Sequence, residues 1–255
     1  MMGKSCPGRK RMLNSIAHIG RRSILNQLKL DILSNNISNM GTYGYKRDGI
    51  TFRIPTEDDQ KNEKSLYSLF PFGGKTYVDF TPGTYKFTGN PLDLTIKGDG
   101  FFVVESSQGN LYTRRGDFAV DQQGRIVTKD GKLVVGEGGP ITVAGADIQV
   151  DSEGNVYSDN ELVGKLKIVT FGDLTILEKV EGSYLKLTDP QLQGQEKTPE
   201  GTEVWQGYVE MSNVDVVSSM VEMITLLRAH ESYKNAIDAM READRKDAQE
   251  IGLVR

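Results

Sequence analysis

Glycine and proline are spread so unevenly along these 255 residues that they divide the chain before any other signal is read. Residues 208–251 contain neither, and between Met12 and Met40 there is one glycine, Gly20, and no proline. Residues 73–207 hold 21 of the 28 glycines. Stretches free of both suit helices, because glycine costs backbone entropy and proline removes a helical hydrogen bond. Regularly spaced glycines suit turns. The order is therefore helix, sheet, helix.

In the middle, short runs rich in Val, Ile, Phe, Tyr and Thr alternate with turn residues about every 8–12 positions, which predicts an antiparallel β domain of short strands. The expected strands lie in FFVVES (101–106), LYTRRG (111–116), FAVDQQG (118–124), RIVTKDG (125–131), KLVVGEGG (132–139), ITVAG (141–145), DIQVDSEG (147–154), NVYSDN (155–160) and LKIVTFG (166–172). Asp-Gly at 99–100 and 130–131 predicts two hairpin turns. The clusters DQQG and DSEGN lack the alternating ligands and closing Glu of a calcium loop, so they read as β-turns.

The C-terminal stretch carries two neighbouring apolar stripes at three-and-four spacing. Val217, Met220, Ile224 and Leu227 form one; Met223, Leu226, Tyr233, Ile237 and Met240 form the other, with His230 inside it. The N-terminal stretch offers Ile16, Ile19, Leu25, Leu28, Ile32, Leu33 and Ile37. The expected class is α+β: long N- and C-terminal helices paired as a coiled-coil-like helical domain, around a central antiparallel β domain. The expected divisions are a disordered or mis-assigned start (1–11), an N-terminal helix and extended junction (12–52), a connector loop (53–76), the β domain (77–206) and a C-terminal helix (207–255) packing with 12–40. Ordering 44 helical residues costs about 1–2 kcal/mol of backbone entropy each. A two-helix hairpin has few faces to hide, so its second stripe calls for other copies. Alternatively, both helices pack on the β domain of a single chain.

No catalytic signature is present. GGKT at 73–76 has Leu69 where a phosphate-binding loop needs its first glycine, and it reads as a loop; GEGGP at 136–140 lacks a third glycine and a following helix. His18 and His230 have no triad or metal partner at local spacing, so each reads as a packed polar residue. One cysteine excludes an internal disulfide, and with two histidines leaves too few soft ligands for structural zinc. No cofactor, metal or catalytic residue is expected. A net charge of −4 gives no support to a nucleic-acid or anionic-membrane surface. No segment has about 18 uninterrupted apolar residues, and the basic start through Arg11 is followed by no apolar signal core. The match of Asn36-Ile37-Ser38 to a glycosylation acceptor is accidental in a helix terminus.

Three ordered blocks carry a resemblance. The first is Asn35-Asn36-Ile37-Ser38-Asn39-Met40-Gly41-Thr42-Tyr43-Gly44-Tyr45-Lys46, which closes the first helix; its asparagines suit capping, and Gly41 and Gly44 suit left-handed turns. The second runs from Thr88 through Gly98-Asp99-Gly100-Phe101-Phe102-Val103-Val104 into YTRRGDFAVDQQG. The third is Gly207-Tyr208-Val209-Glu210-Met211-Ser212-Asn213-Val214, where Ser212 or Asn213 suits the N-cap of the last helix. Together they resemble the axial proteins of the bacterial flagellum, in the basal-body rod family, over roughly residues 12–250. Ser38 stands where Ala is usual, Val209 replaces Leu, and His230 stands where an aromatic is common. The short segment after the first block looks like the proximal-rod type more than the distal-rod type, whose connector is longer; the distal type and a soluble binding module or enzyme with an unrecognised site stay open.

The resemblance implies a structural subunit, exported through the flagellar type III apparatus without signal cleavage and stacked helically into the shaft that crosses the periplasm. It implies contacts with other copies, other rod proteins and the surrounding rings. The packing residues would be Leu25, Leu28, Ile32 and Ile37 on one helix, and Val217, Met220, Ile224, Leu227, Tyr233, Ile237 and Met240 on the other. Asn35, Asn36, Asn39, Gly44, Tyr45 and Lys46, with Gly98, Gly100, Phe101, Phe102, Glu210, Ser212, Asn213 and Val214, would shape the junction and the family motifs.

Overall fold

The computed structural model describes residues 7–53, 73–107, 109–145 and 147–252. The chain divides into two units: Met1–Ile37, Asp48–Tyr77 and Asp215–Arg255 form one, and Ser38–Arg47 with Val78–Val214 form the other. Most of the expected connector, residues 54–72, lies outside the described residues.

The first unit holds helix α1 (Pro7–Ser38), helix α2 (Val216–Gly252) and the paired strands β1 (Asp48–Arg53) and β2 (Gly73–Val78). The α+β class holds, but the expected coiled-coil-like pairing of the terminal helices does not. Such a seam buries an apolar residue every three or four positions along its whole length. Among its described residues, α1 buries apolar side chains only at Leu30 and Leu33 near its C-terminal end, and α2 buries none fully. The stripe Met223, Leu226, Tyr233, Ile237, Met240 is half-buried, while Val217, Met220, Val221, Ile224 and Leu227 are exposed. GGKT is not a loop either; it lies in β2.

Asp215, rather than Ser212 or Asn213, caps α2. Its Oδ1 accepts from the Val217 and Ser218 amides at 3.1 and 3.2 Å, and its Oδ2 accepts from Ser218 Oγ at 2.6 Å. Two of the first-turn amides that lack helical partners are thereby satisfied.

The second unit contains β3 (Tyr85–Phe87), β4 (Leu94–Lys97), β5 (Phe101–Ser106), β6 (Gly109–Thr113), β7 (Phe118–Val120), β8 (Ile126–Thr128), β9 (Leu133–Gly136), β10 (Gly139–Pro140) and β11 (Ile148–Val150). Beyond these come β12 (Asn155–Ser158), β13 (Glu161–Lys165), β14 (Ile168–Val169), β15 (Leu177–Lys179), β16 (Tyr184–Leu187), β17 (Glu203–Gln206) and β18 (Tyr208–Glu210). The main sheet runs β15-β16-β6-β5-β9-β8-β7, with β10 beside β9 and β14 beside β5; β11-β12-β13, β17-β4 and β18-β3 are smaller sheets. All of these pairings are antiparallel.

The apolar run Phe101–Val104 explains the centre of this sheet. Successive side chains point to opposite faces, so Phe102 and Val104 enter a cluster with Leu94, Ile126 and Val156, while Phe101 and Val103 enter a second with Tyr112, Phe171 and Leu185. A strand covered on both faces reads as a continuous apolar run. Asp130-Gly131 joins β8 to β9 as a hairpin, with the Gly131 amide donating to Thr128 O at 2.9 Å. Asp99-Gly100 makes no hairpin, because β4 pairs β17 and β5 pairs other strands. Ile141 and Val143 are buried, yet ITVAG is no strand; only a single bridge, Thr142 to Arg125, forms there. DQQG and DSEGN are turns, in which Asp121 Oδ1 and Asp151 Oδ1 each accept two backbone amides at 2.8–2.9 Å.

Candidate functional site

The three sequence blocks meet at one buried charge cluster in the β unit. Lys46, in the segment that follows α1, places Nζ 2.6 Å from Glu210 Oε1, and the two side chains are 4% and 0% exposed. Glu210 Oε2 lies 3.5 Å from Arg114 Nη1. The Gly83 amide also donates to Glu210 Oε1 at 3.0 Å. Lys46 Nζ donates to Thr81 O at 2.9 Å, and Arg114 donates to Ile96 O at 3.1 Å and to Gly98 O at 2.7 Å. Burial pushes both cationic groups below their ordinary pKa, and the Glu210 carboxylate opposes that in each case. Two cations share one anion, and the surrounding carbonyls supply part of the compensation that buried charge requires, while Arg114 Nε and Glu210 Oε2 are buried without a hydrogen bond.

Backbone and amide contacts close the same joint. The Gly44 amide donates to Glu210 O at 2.8 Å. Asn213 Oδ1 accepts from the Arg47 amide at 2.7 Å, while its Nδ2 donates to Asp79 O at 2.9 Å and Thr81 O at 3.0 Å. These bonds explain why Asn213 is not the cap of α2. Tyr45 is buried, with Lys179 Nζ 4.0 Å from its ring centroid. Gly44 has φ +65°, and a Cβ there would stand 2.3 Å from Arg115 N, so only glycine fits. Gly41, expected to turn the same way, is not left-handed.

The remaining motif residues serve the same architecture. Asn36 is buried at the end of α1 and grips Asp48 in β1 twice, Nδ2 to O and N to Oδ1, each at 2.8 Å. Asn39 Oδ1 accepts from Thr42 Oγ1 at 3.3 Å, and Asn35 is exposed. Gly98 and Gly100 carry φ of +107° and +130°, turning the chain from β4 into β5. Phe101 and Phe102 fill the two clusters; Val214 is buried, and its amide donates to Ser212 Oγ at 3.3 Å. Arg114 was not singled out by the sequence. Its signal is an arginine placed directly after the buried triplet Leu111–Thr113, where a charge needs a partner.

The packing residues divide by exposure. Leu28, Val217, Met220, Ile224 and Leu227 are exposed; Leu25, Ile32, Ile37, Tyr233, Ile237 and Met240 are half-buried. Ile24 and Val221 join the exposed set, and Val221 was legible as the i+4 neighbour of Val217. His230 is half-buried, whereas the His18 side chain lies outside the described residues. No cluster of metal-ligating side chains occurs among the described residues.

Comparison with known proteins agrees with this arrangement. The model of the flagella basal body rod protein matches residues 20–46, that of the flagellar hook protein FlgE/F/G D1 domain residues 95–158, and that of the flagellar basal body rod FlgEFG protein C-terminal residues 206–250. The flagellar basal-body rod protein FlgF of Caulobacter vibrioides is 32% identical over 89% of this chain and 93% of that protein. The chain belongs to the flagellar basal-body rod protein family. FlgG of the same bacterium is also 32% identical, over 83% of this chain and 89% of its own length, and FlgF of Salmonella typhimurium is 27% identical over 87% and 92%. Within this rod-family chain, each matched region contributes to the cluster: Lys46 comes from the first, Arg114 from the second and Glu210 from the third.

Proposed function

We infer that this rod-family chain is a structural subunit of the flagellar basal-body rod that works by packing rather than by catalysis, and so contributes to flagellum-dependent motility. The observation that carries this is the bare row on α2: Val217, Met220, Val221, Ile224 and Leu227 recur at three-and-four spacing and are exposed in the single chain. An apolar face of this kind is a surface awaiting a partner, and identical copies stacked helically supply one indefinitely. The half-buried Tyr233, Ile237 and Met240, with Leu25, Leu28, Ile32 and Ile37 on α1, extend the packing surface. The domain division into 12–52, 77–206 and 207–255, export through the type III apparatus, and contacts with other rod proteins and the surrounding rings belong to the same reading. The short connector after the first motif block favours the proximal-rod type, which locating the chain in isolated basal bodies would test.

Replacing Leu227 with Asp places a charge in the row. The expected result is loss of motility and of copurification with basal bodies, while the β unit keeps its fold. A variant that still incorporates and supports swimming overturns the packing role.

A further inference from the structure

The chain passes from one unit to the other at 37/38, 47/48, 77/78 and 214/215. Inside the β unit, the segments 44–47, 79–84 and 210–213 that border the last three of these points are tied to one another by two side chains of the third segment. Glu210 Oε1 accepts from Lys46 Nζ of the first segment and from the Gly83 amide of the second. Asn213, three residues on, accepts from the Arg47 amide of the first and donates to Asp79 O and Thr81 O of the second. Residues 79–84 join no strand. They bond to both neighbours through the backbone as well, Asp79 N to Arg47 O at 2.9 Å and Met211 N to Thr84 O at 2.8 Å. A Cβ at Gly83 would collide with Met211 O, so the second segment lies against the third without a side chain between them.

Going beyond the rod-subunit reading and independent of it, we propose that 44–47, 79–84 and 210–213 form a latch that opens as one unit, separately from the main sheet. The segments that lead out of α1 and into α2 then loosen together or not at all. Glu210 and Asn213 each reach both other segments, so lifting any one segment breaks bonds at both points. Lifting the first or the third also parts Lys46 from Glu210, and a buried charge without its partner is costly. Half-open arrangements are therefore disfavoured against the closed and the fully open ones. Among the described residues of the latch, Phe80 alone packs against the two apolar clusters of the β unit, so those clusters stay closed when the latch opens. Local openings of this kind lie below the free energy of global unfolding.

Native-state amide exchange of the purified full chain across a urea series tests this. The Gly44, Arg47, Asp79, Gly83 and Met211 amides each bond from one latch segment to another. They are expected to share one opening free energy and one urea slope, both below those of the β5 and β6 amides, because less surface is exposed. Asn213→Ala speeds all of them by a common factor, roughly ten- to a hundredfold for the loss of two or more hydrogen bonds. That includes Gly44, Gly83 and Met211, which Asn213 does not bond. Val104→Ala speeds the β5 and β6 amides and leaves the latch amides unchanged. Latch amides with different slopes, a response to Asn213→Ala confined to Arg47 and Asp79, or latch amides that follow the sheet in Val104→Ala each overturn the proposal. The slopes of the unsubstituted chain and the Val104→Ala result decide it even where Asn213→Ala does not fold. Exchange is read on the chain alone, so absence from basal bodies overturns the rod reading and leaves the latch standing.

Discussion

The two units of this chain handle their awkward side chains in opposite ways. In the β unit the awkward groups are charges, and the fold buries and pairs them: Lys46, Glu210 and Arg114 are almost inaccessible, with carbonyls and an amide of four further residues beside them. In the helical unit the awkward groups are aliphatic, and the fold leaves them outside, with Val217 74% exposed. Charges buried and paired with one another mark a part finished within one chain. A bare face marks a part finished by neighbours. On the packing reading, stability and assembly are assigned to different residues, so that substitutions can separate them.

Glu210→Ala should have the largest effect on stability. It leaves Lys46 and Arg114 buried without their anion, and breaking a buried ionic cluster costs about 3–5 kcal/mol. Urea unfolding of the β unit measures it, and a loss below about 1 kcal/mol would break the contrast between the units. Gly44→Ala comes next, at about 1–3 kcal/mol for the forced backbone alone, with the clash against Arg115 N added. Asn36→Ala removes two hydrogen bonds to Asp48, worth about 0.5–1.5 kcal/mol each. Here amide exchange at Asp48 should quicken while the β unit stays protected.

Alkaline pH gives a further, graded effect. Burial, aided by Glu196 beside Tyr112 and Asp130 beside Tyr184, raises both phenols above their ordinary pKa. The folded chain therefore holds these protons more tightly than the unfolded chain. Their contribution is complete below the unfolded value of about 10 and is lost as pH rises above it. Tyr112→Phe should flatten part of that decline in a pH series of unfolding midpoints. Leu227→Asp should be smallest, within about 0.5 kcal/mol for an exposed site, although it is expected to abolish incorporation. A large loss of monomer stability would show that the row is not free.

Much of the β unit was legible because its signals are local. The Phe101–Val104 run and the turns at Asp121, Asp130 and Asp151 depend on neighbours a few residues away. Asp99-Gly100 misled because the same dipeptide serves a hairpin or a bend between sheets, and the pairing of β4 with the distant β17 decides which. The terminal helices were legible as helices, but their pairing was not. Periodicity reports that a face is apolar, not what covers it, and the row on α2 has no cover in one chain. The motif residues were found without their purpose. Lys46 and Glu210 are 164 positions apart, and no spacing announces that they touch.

Trp205, on β17, gives the aromatic cluster it forms with Tyr85 and Tyr208 an optical consequence. It is the chain's sole tryptophan, it is only half-buried, and it sits among tyrosines beside the Lys97 ammonium. Every photon of indole emission therefore originates in this cluster. If anything covers the cluster and water leaves, the emission maximum moves to shorter wavelength and collisional quenchers lose access. The molecule thus contains its own reporter, able to follow the covering or unfolding of this face of the β unit in real time without a label.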